Sequence, residues 1–409
     1  MEVVPIELLI LVVVASRYIV GRLVRIRMGT SFDPTVDGFE PTVAIVVPMF
    51  NQGESIAATI ASFLEQDYPA SKLQITVVDD ASRDDSYACA CRAAGGRPQV
   101  KVLRNARNLG KRLSIAHAVR ETRSEIVVSV DSDVILDRHA VRQLVRRFVS
   151  PDIGAVGGRT YVGNRDVNWL TRMAEVKFYF SQEWLKDLEN AYRSVLCLSG
   201  CLTAYRRSVL LELEPVLVRR AVAGVPIRYG EDRFLTRQIL KARYRTLFTG
   251  DAYCFTEAPT TLGAYFAQQL RWRRSNLIDF FCGLSHVWRL HPAIALHFFA
   301  QRALLLAYPL VVVQNVLNDA LGNVISLHLG VVALLSVVYR LETRHLPAWR
   351  RVPSASFLAI TILLPANYLM LTPLALFTLD SGSWETRGHT ARLDADAVAP
   401  AVASLPSSS

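Results

Sequence analysis

The sequence predicts an α/β domain built on a parallel sheet and inserted between apolar segments at both ends of the chain. Three observations predict this architecture. Short apolar strands alternate with helical segments over residues 43–130, which is typical of a parallel sheet with crossover helices. Apolar residues dominate the N-terminus and most of residues 292–379. The hydrophobic share of 51% also favours a membrane protein over a purely soluble one.

The net charge of +10 arises from basic residues that cluster beside the apolar segments, at 17–27, 271–274 and 340–351. Flanking positive charge is typical of membrane proteins and predicts a lipid bilayer as partner. No groove-reading motif is present, so no nucleic-acid partner is expected. The six cysteines show no paired zinc spacing and are expected to be reduced.

The elements of the domain follow one another in a regular order. Pro48 closes the first strand, residues 54–66 have helical periodicity, and Gly95 and Gly96 end the helix at 84–94. Strands are predicted at 43–47, 74–78, 100–103 and 126–130, with helices between them at 54–66, 84–94 and 111–120. Helices at 138–148 and 168–191, a strand ending at Tyr205, and helices after Asp232 and from about Leu262 complete the prediction.

Two acidic pairs follow strands of this predicted sheet. Asp79 and Asp80 follow the second strand, and Asp131 and Asp133 follow the strand at 126–130. Parallel strands place ligands at their carboxyl ends, so both pairs are expected on one rim. Asp131 and Asp133 are hard oxygen ligands, which suit Mg²⁺ or Mn²⁺ held against a diphosphate. The alternative is that these residues belong to solvated turns or helix caps.

The membrane segments are predicted at 3–24, 292–317, 321–339 and 354–379. Pro365 and Pro373 lie in the last segment, which is therefore expected to be interrupted and partly re-entrant. The predicted domains are an anchor at 1–28, a cytoplasmic catalytic domain at 42–275, an interfacial and channel-forming region at 276–388 and a disordered tail at 389–409.

Seven short motifs follow one another between residues 43 and 387: VVDD, NLGKR, DSD, LSGC, GED, QQLRW and SWETR. In this order they resemble the processive branch of glycosyltransferase family 2. The closest resemblance is to hyaluronan synthases of the bacterial type, followed by nodulation chitooligosaccharide synthases and cellulose synthases. Each motif alone is weak, whereas their order and spacing together are specific.

The resemblance implies a Rossmann-like GT-A nucleotide-sugar fold and inverting transfer from UDP-sugars. The donor would be UDP-GlcNAc, with UDP-glucuronate as a further candidate. The product would be a growing polysaccharide, either hyaluronan-like or chitin-like, and the location the cell membrane. It also implies that Asp232 is the general base, supported by Glu231. The remaining residues matched to substrate binding are Asp79, Asp80, Lys111, Arg112, Asp131, Ser199, Gly200, Gln268, Arg271, Trp272, Trp384 and Arg387, and those matched to the metal are Asp131 and Asp133.

Several alternatives stay open. Glu231 and Asp232 could only favour a helix N-terminus, and Trp272 could anchor the chain at the membrane interface instead of, or in addition to, stacking on an acceptor sugar. The chain departs from the family at Gln52, Cys201 and Glu385, and it shows one N-terminal span where hyaluronan synthases usually have two. A non-processive transferase, an inactive sugar-nucleotide-binding protein and a transporter are the competing functions.

Overall fold

The computed structural model describes residues 6–29, 34–222, 224–227, 229–347 and 350–380. These residues form two compact units. The first, called the sheet unit, is drawn from Gly29–Tyr161 and Arg193–Thr256. The second, called the helical unit, is drawn from the described residues of Met1–Met28, Val162–Tyr192 and Glu257–Leu379. The domain boundaries given above stay predictions.

The sheet unit begins with the predicted alternation of strands and helices. Its strands are β1 (Val43–Met49), β2 (Leu73–Asp79), β3 (Val100–Arg104) and β4 (Ile126–Ser129), and its helices are α2 (Ser55–Leu64), α3 (Ser86–Ala94) and α4 (Lys111–Glu121). The four strands are parallel, with β1 between β2 and β4. Every residue of β1 and β4 is buried, as expected for strands covered on both faces.

The sheet as a whole is mixed, while the four strands predicted between residues 43 and 130 are parallel, as expected. The further elements are β5 (Ile135–Leu136), α5 (Ala140–Val145), β6 (Ile153–Val162), β7 (Thr203–Arg206), α8 (Arg207–Val218), β8 (Ala221–Val222), β9 (Val225–Pro226), α9 (Glu231–Lys241) and β10 (Arg245–Thr256). The eight-stranded sheet has the order β3-β2-β1-β4-β7-β6-β10-β5. β7 pairs antiparallel with both β4 and β6, so the parallel part of the sheet, β3-β2-β1-β4, ends at β4.

Strand β6 escaped prediction because glycines weaken its sequence pattern. The structure shows why they are there. A Cβ atom on Gly157 would lie 2.7 Å from Leu198 Cδ2, and one on Gly158 would lie 2.8 Å from the carbonyl oxygen of Ala252. At Gly158 the backbone of Ala252 therefore approaches more closely than a side chain would allow, whereas at Gly157 the end of the Leu198 side chain fills the space.

The helical unit consists of α1 (Ile6–Met28), α6 (Trp169–Tyr179), α7 (Leu185–Ala191), α10 (Leu262–Gly283), α11 (Pro292–Leu317), α12 (Leu321–Thr343) and α13 (Leu358–Leu376). A π-helical turn at Phe180–Trp184 lies between α6 and α7, and the chain is helical without a break from Trp169 to Ala191, as predicted for residues 168–191. The Arg22 guanidinium joins three of these helices, because it lies 2.9 Å from Asp187 Oδ2 and 2.7 Å from Glu342 Oε1.

Two helices of the described residues are long and apolar enough to cross a membrane, at Leu321–Thr343 and Ser354–Leu376. A third span is formed if the two parts of α11, which meet at 43°, are counted together. Helix α1 does not meet the same test, and the predicted N-terminal anchor stays a prediction.

The expected interruption of residues 354–379 is wrong. After a 3₁₀ turn at Ser354–Phe357, one α-helix continues through both Pro365 and Pro373. Each proline removes a single backbone donor, and α13 keeps its packing against α10, α11 and α12. Prolines in apolar helices are tolerated when such neighbours support the backbone.

Candidate active site

The two acidic pairs lie at the same rim of the parallel part of the sheet. Asp79 ends β2 and pairs in register with Met49, the last residue of β1. On the other side of β1, Val130 donates its backbone N–H to the Val46 carbonyl, so Asp131 follows at the same level. The structure thus brings the carboxyl ends of β2, β1 and β4 together, as the parallel pattern requires.

Asp80 binds the loop that precedes α4. Its Oδ1 accepts hydrogen bonds from the Leu109 N–H at 2.8 Å and from the Asn105 side chain at 2.8 Å, and its Oδ2 accepts one from the Gly110 N–H at 2.7 Å. Burial raises the pKa of Asp80, although these hydrogen bonds oppose the shift. Three bonds to one short loop mean that this carboxylate fixes the backbone immediately before Lys111.

Lys111 links two of the predicted site carboxylates. Its Nζ lies 2.5 Å from Asp131 Oδ1 and 2.7 Å from Glu231 Oε1, and its side chain is only 9% exposed. Burial alone would lower the pKa of Lys111, but the two carboxylates and their hydrogen bonds raise it well above its usual value. The ammonium group therefore carries a full positive charge into the rim and neutralises part of a strongly acidic cluster.

Gly200 leaves the space that this lysine occupies. A Cβ atom at Gly200 would lie 2.7 Å from Lys111 Nζ and 3.6 Å from Asp131 Oδ1. The turn that contains Gly200 is held by the Ser199 carbonyl, which accepts a hydrogen bond from Thr203 Oγ1 at 2.7 Å. Cys201 follows, and its Sγ lies 3.7 Å from Asp131 Oδ2.

Asp232 begins helix α9 beside Glu231. Gly230 before them adopts a left-handed conformation with φ of 66°, which glycine enters without steric cost. The Arg233 N–H donates to Asp232 Oδ1 at 2.8 Å. Burial and the charge of Glu231 raise the pKa of Asp232. A carboxylate with a raised pKa is a stronger proton acceptor, as a general base requires.

Asp79 has a different environment from Asp80. It is fully buried, its Oδ2 lies 3.0 Å from Arg104 Nε, and its Oδ1 accepts the Ser82 N–H at 3.2 Å. The Arg104 guanidinium also lies 5.0 Å from the centre of the Tyr87 ring. The aromatic ring and the guanidinium, which the buried Asp79 carboxylate holds in place, form a surface suited to a planar, hydrogen-bonding base.

The donor set at the rim fits a magnesium or manganese ion. Asp131 and Asp133 supply oxygen atoms only, which hard divalent ions prefer. Among the described ranges, no group of three or more His, Cys, Asp or Glu side chains has an arrangement that could hold a metal by itself. Two carboxylates leave the remaining positions to water and to the phosphates of a substrate, which is how Mg²⁺ is usually bound.

Gln268, Arg271 and Trp272 belong to the helical unit, on α10. Trp272 is 36% exposed and its ring centre lies 6.4 Å from that of Phe178. Arg271 Nε is buried without a hydrogen-bond partner within the described part of the chain. Arg112 belongs to the sheet unit, where it follows Lys111 on α4. Trp384 and Arg387 lie outside the described residues, so their predicted roles stay predictions.

Sequence reasoning did not find Arg104 and Asn105. Arg104 is the last residue of β3, and Asn105 follows it. Like Asp79, both therefore lie at the carboxyl end of a parallel strand, where site residues are expected. Asn105 donates to Asp80 and to Ser114 Oγ at 2.9 Å, and its carbonyl oxygen faces His117 Nδ1 at 2.8 Å. An Asn after a strand is common in turns, which is why it did not stand out.

The fold and this rim define a nucleotide-sugar-dependent transferase. The chain belongs to glycosyltransferase-like family 2, whose sequence model matches residues 41–275. It is 30% identical to an N-acetylglucosaminyltransferase of Sinorhizobium fredii over 87% of this chain and 86% of the relative. It is 31% identical to an N-acetylglucosaminyltransferase of Rhizobium meliloti over 85% of this chain and 82% of the relative.

A solved structure shares the fold. A mannosyltransferase from Pyrobaculum calidifontis, in complex with GDP-Man and Mn²⁺, superposes with a TM-score of 0.57 at 22% identity. The similarity covers 91% of this chain and 96% of that one. It supports a GT-A-like α/β fold with a mixed sheet, and at this identity it carries no statement about the substrate.

Proposed function

We propose that this glycosyltransferase transfers N-acetylglucosamine from UDP-GlcNAc, with inversion, to the growing end of a polysaccharide that it also exports. The observation that carries the proposal is the carboxylate cluster at the rim, in which Asp232 has a raised pKa beside the Lys111-bridged pair of Asp131 and Glu231. The curated relatives described as N-acetylglucosaminyltransferases support GlcNAc as the transferred sugar.

In the proposed reaction, an acceptor hydroxyl attacks the anomeric carbon of the donor while the bond to the UDP oxygen breaks. Asp232 takes the proton of the attacking hydroxyl, and the pair of electrons from the broken bond leaves with UDP. One displacement at carbon inverts its configuration. A general base of this kind contributes about 10²- to 10⁴-fold to the rate.

The other residues of the rim would bind the donor. Asp79 would accept a hydrogen bond from the uracil. Asp80 would fix the loop that precedes α4, so that Lys111 and Arg112 at the start of this helix face the diphosphate. Asp131 and Asp133 would hold Mg²⁺ or Mn²⁺, which when bound neutralises charge that develops on the leaving diphosphate. Ser199 and Gly200 would line the donor side of the rim.

The helical unit would bind the acceptor and the membrane. Trp272 offers a flat surface for the C–H face of a sugar, and Gln268 and Arg271 would bind its hydroxyls or the pyrophosphate. The two apolar helices would cross the bilayer, with residues 42–275 in the cytoplasm where UDP-sugars are made. Trp384 and Arg387 would lie at the cytoplasmic entrance of the path taken by the polymer.

The experiment incubates membranes containing the chain with each radiolabelled UDP-sugar, alone and in pairs, and sizes the product. We expect incorporation from UDP-GlcNAc into long chains. A requirement for UDP-glucuronate as well would identify a hyaluronan-like product, and incorporation from UDP-GlcNAc alone a chitin-like one. Products limited to one or a few added sugars would favour the alternative, a non-processive transferase. No incorporation from UDP-GlcNAc under any of these conditions would refute the proposal.

A further inference from the structure

A second polar cluster lies within the helical unit, where α6, α10 and α13 meet. Its centre is Lys177, whose Nζ donates to Gln269 Oε1 at 2.8 Å and to the Tyr265 hydroxyl at 3.3 Å. The ammonium group also lies 5.1 Å from the centre of the Tyr265 ring. All three contacts are with neutral groups, so none of them balances a positive charge.

No carboxylate compensates this lysine within the described residues. A second cation, Arg273, is close enough to oppose its protonation, and burial together with Arg273 lowers the pKa of Lys177 to about 7. The Arg273 guanidinium itself lies 4.3 Å from the centre of the Tyr368 ring. Two cations that share a desolvated region without a counter-ion repel each other, and an anionic ligand would remove that repulsion.

The same cluster leaves neutral polar atoms unpaired. Asn367 is 3% exposed, and its Nδ2 lies 2.6 Å from the Tyr265 hydroxyl, while its Oδ1 is buried without a partner. If the amide is turned over, its nitrogen becomes the unpaired atom instead. In either orientation, one polar atom of the Asn367 amide has no partner within the described chain, although buried polar groups are normally satisfied.

The residues next to the two cations are aromatic. Phe178 follows Lys177, Trp272 precedes Arg273, and the Phe178 and Trp272 rings lie 6.4 Å apart. Aromatic surface is suited to the apolar face of a pyranose ring, whereas paired cations with an additional donor are suited to a carboxylate. The two features together match a sugar that carries an acidic group.

We infer that Lys177 and Arg273 bind the carboxylate of an acidic sugar in the acceptor chain, with Tyr265 and Asn367 binding its neighbouring hydroxyls. This inference rests on the proposed function, since it assigns a specificity to the acceptor region of the same enzyme. It implies an acceptor that contains uronic acid units, so that the product is not built from N-acetylglucosamine alone.

The test measures binding of two labelled hexasaccharides to the full chain in detergent at pH 6.5. One alternates N-acetylglucosamine with glucuronate, and the other is chitohexaose. We expect about tenfold tighter binding of the acidic hexasaccharide, as one charge-assisted contact supplies. Lys177→Met should bind both equally, Lys177→Arg should restore the preference, and Lys241→Met, an exposed lysine of the sheet unit, should keep it.

Three results would overturn the inference: equal binding of both hexasaccharides by the wild-type chain, a preference that survives in Lys177→Met, and displacement of the acidic hexasaccharide by phosphatidylglycerol but not by phosphatidylcholine. The last would assign the cluster to a lipid phosphate. Incorporation of radiolabelled GlcNAc is measured on the same preparations. Its absence would count against the proposed function, whereas incorporation without any acidic preference would count against this inference alone.

Discussion

Replacing Lys111 with methionine removes the cation that holds the carboxylate cluster together. The wild-type ammonium lies 2.5 Å from Asp131 and 2.7 Å from Glu231, with the lysine side chain 9% exposed. At an effective dielectric constant of about 20, each pair attracts by about 6 kcal/mol before the cost of desolvation is subtracted. Removing one partner of a buried ion pair has a measured net cost of about 3–5 kcal/mol.

We therefore expect Lys111→Met to lower the free energy of unfolding by about 3–5 kcal/mol at pH 7.5, or Tm by roughly 6–20 °C for a domain of this size. Urea and thermal unfolding of the full chain in detergent, followed by tryptophan fluorescence, measure both. Lys72→Met is the matched control. Lys72 is 42% exposed and lies 3.6 Å from Glu40, so its loss should cost at most about 1 kcal/mol.

The pH dependence of Lys111→Met separates electrostatics from packing. In the wild-type chain the charge of Lys111 opposes the raised pKa of Asp232, so without the ammonium this pKa should rise further above its unfolded value. The folded mutant then binds more protons than the unfolded one, so its stability rises as the pH falls. The deficit against wild type should shrink between pH 7.5 and 5. A deficit below 1 kcal/mol, or one that is the same at both pH values, would refute the reasoning.

Four further changes have defined outcomes. Asp232→Asn should lower the transfer rate by on the order of 10²-fold or more with unchanged UDP binding. The wild-type rate should fall as the pH drops through the raised pKa of Asp232. Normal turnover in the purified mutant would exclude Asp232 as the base. Asp133→Ala should abolish activity and its dependence on Mg²⁺ or Mn²⁺, which full activity in excess EDTA would contradict. Gly200→Ala should displace Lys111 Nζ from one carboxylate and cost about 1–3 kcal/mol, whereas a mutant as stable as wild type would show that the turn has room. Trp272→Ala should weaken acceptor extension more than donor hydrolysis, and an equal loss of both would indicate a structural role.

Much of the sheet unit could be predicted because its signals are local. The pattern of apolar residues alone predicts strands β1, β2 and β4. The rule that parallel strands end at one edge then predicts where the acidic residues that follow them lie. The same reasoning placed Asp79, Asp80, Asp131 and Asp133 on one rim. It could not show that Asp80 binds the backbone at Leu109 and Gly110, since that contact depends on the path of a loop.

The features that escaped prediction depend on distant parts of the chain. The glycines of β6 are required by Leu198 and Ala252, which no local pattern connects to them. The cluster around Lys177 includes Gln269, 92 positions further along the chain, and Asn367, which contacts Tyr265 across 102 positions. The interruption predicted at Pro365 and Pro373 is wrong because proline disrupts an isolated helix far more than one that neighbouring helices support.

The Arg22 cluster has a consequence for the order in which the chain folds. Its partners are separated by 165 positions, to Asp187, and by 320 positions, to Glu342. During synthesis the N-terminal helix therefore emerges long before Glu342 exists, whereas the strands of the sheet unit are complete at Thr256. Contacts so far apart in sequence form late. A ribosome-bound chain that ends shortly after Thr256 should already resist protease over its sheet unit. The ion pair between Arg22 and Glu342, in contrast, can form only after synthesis has passed residue 342.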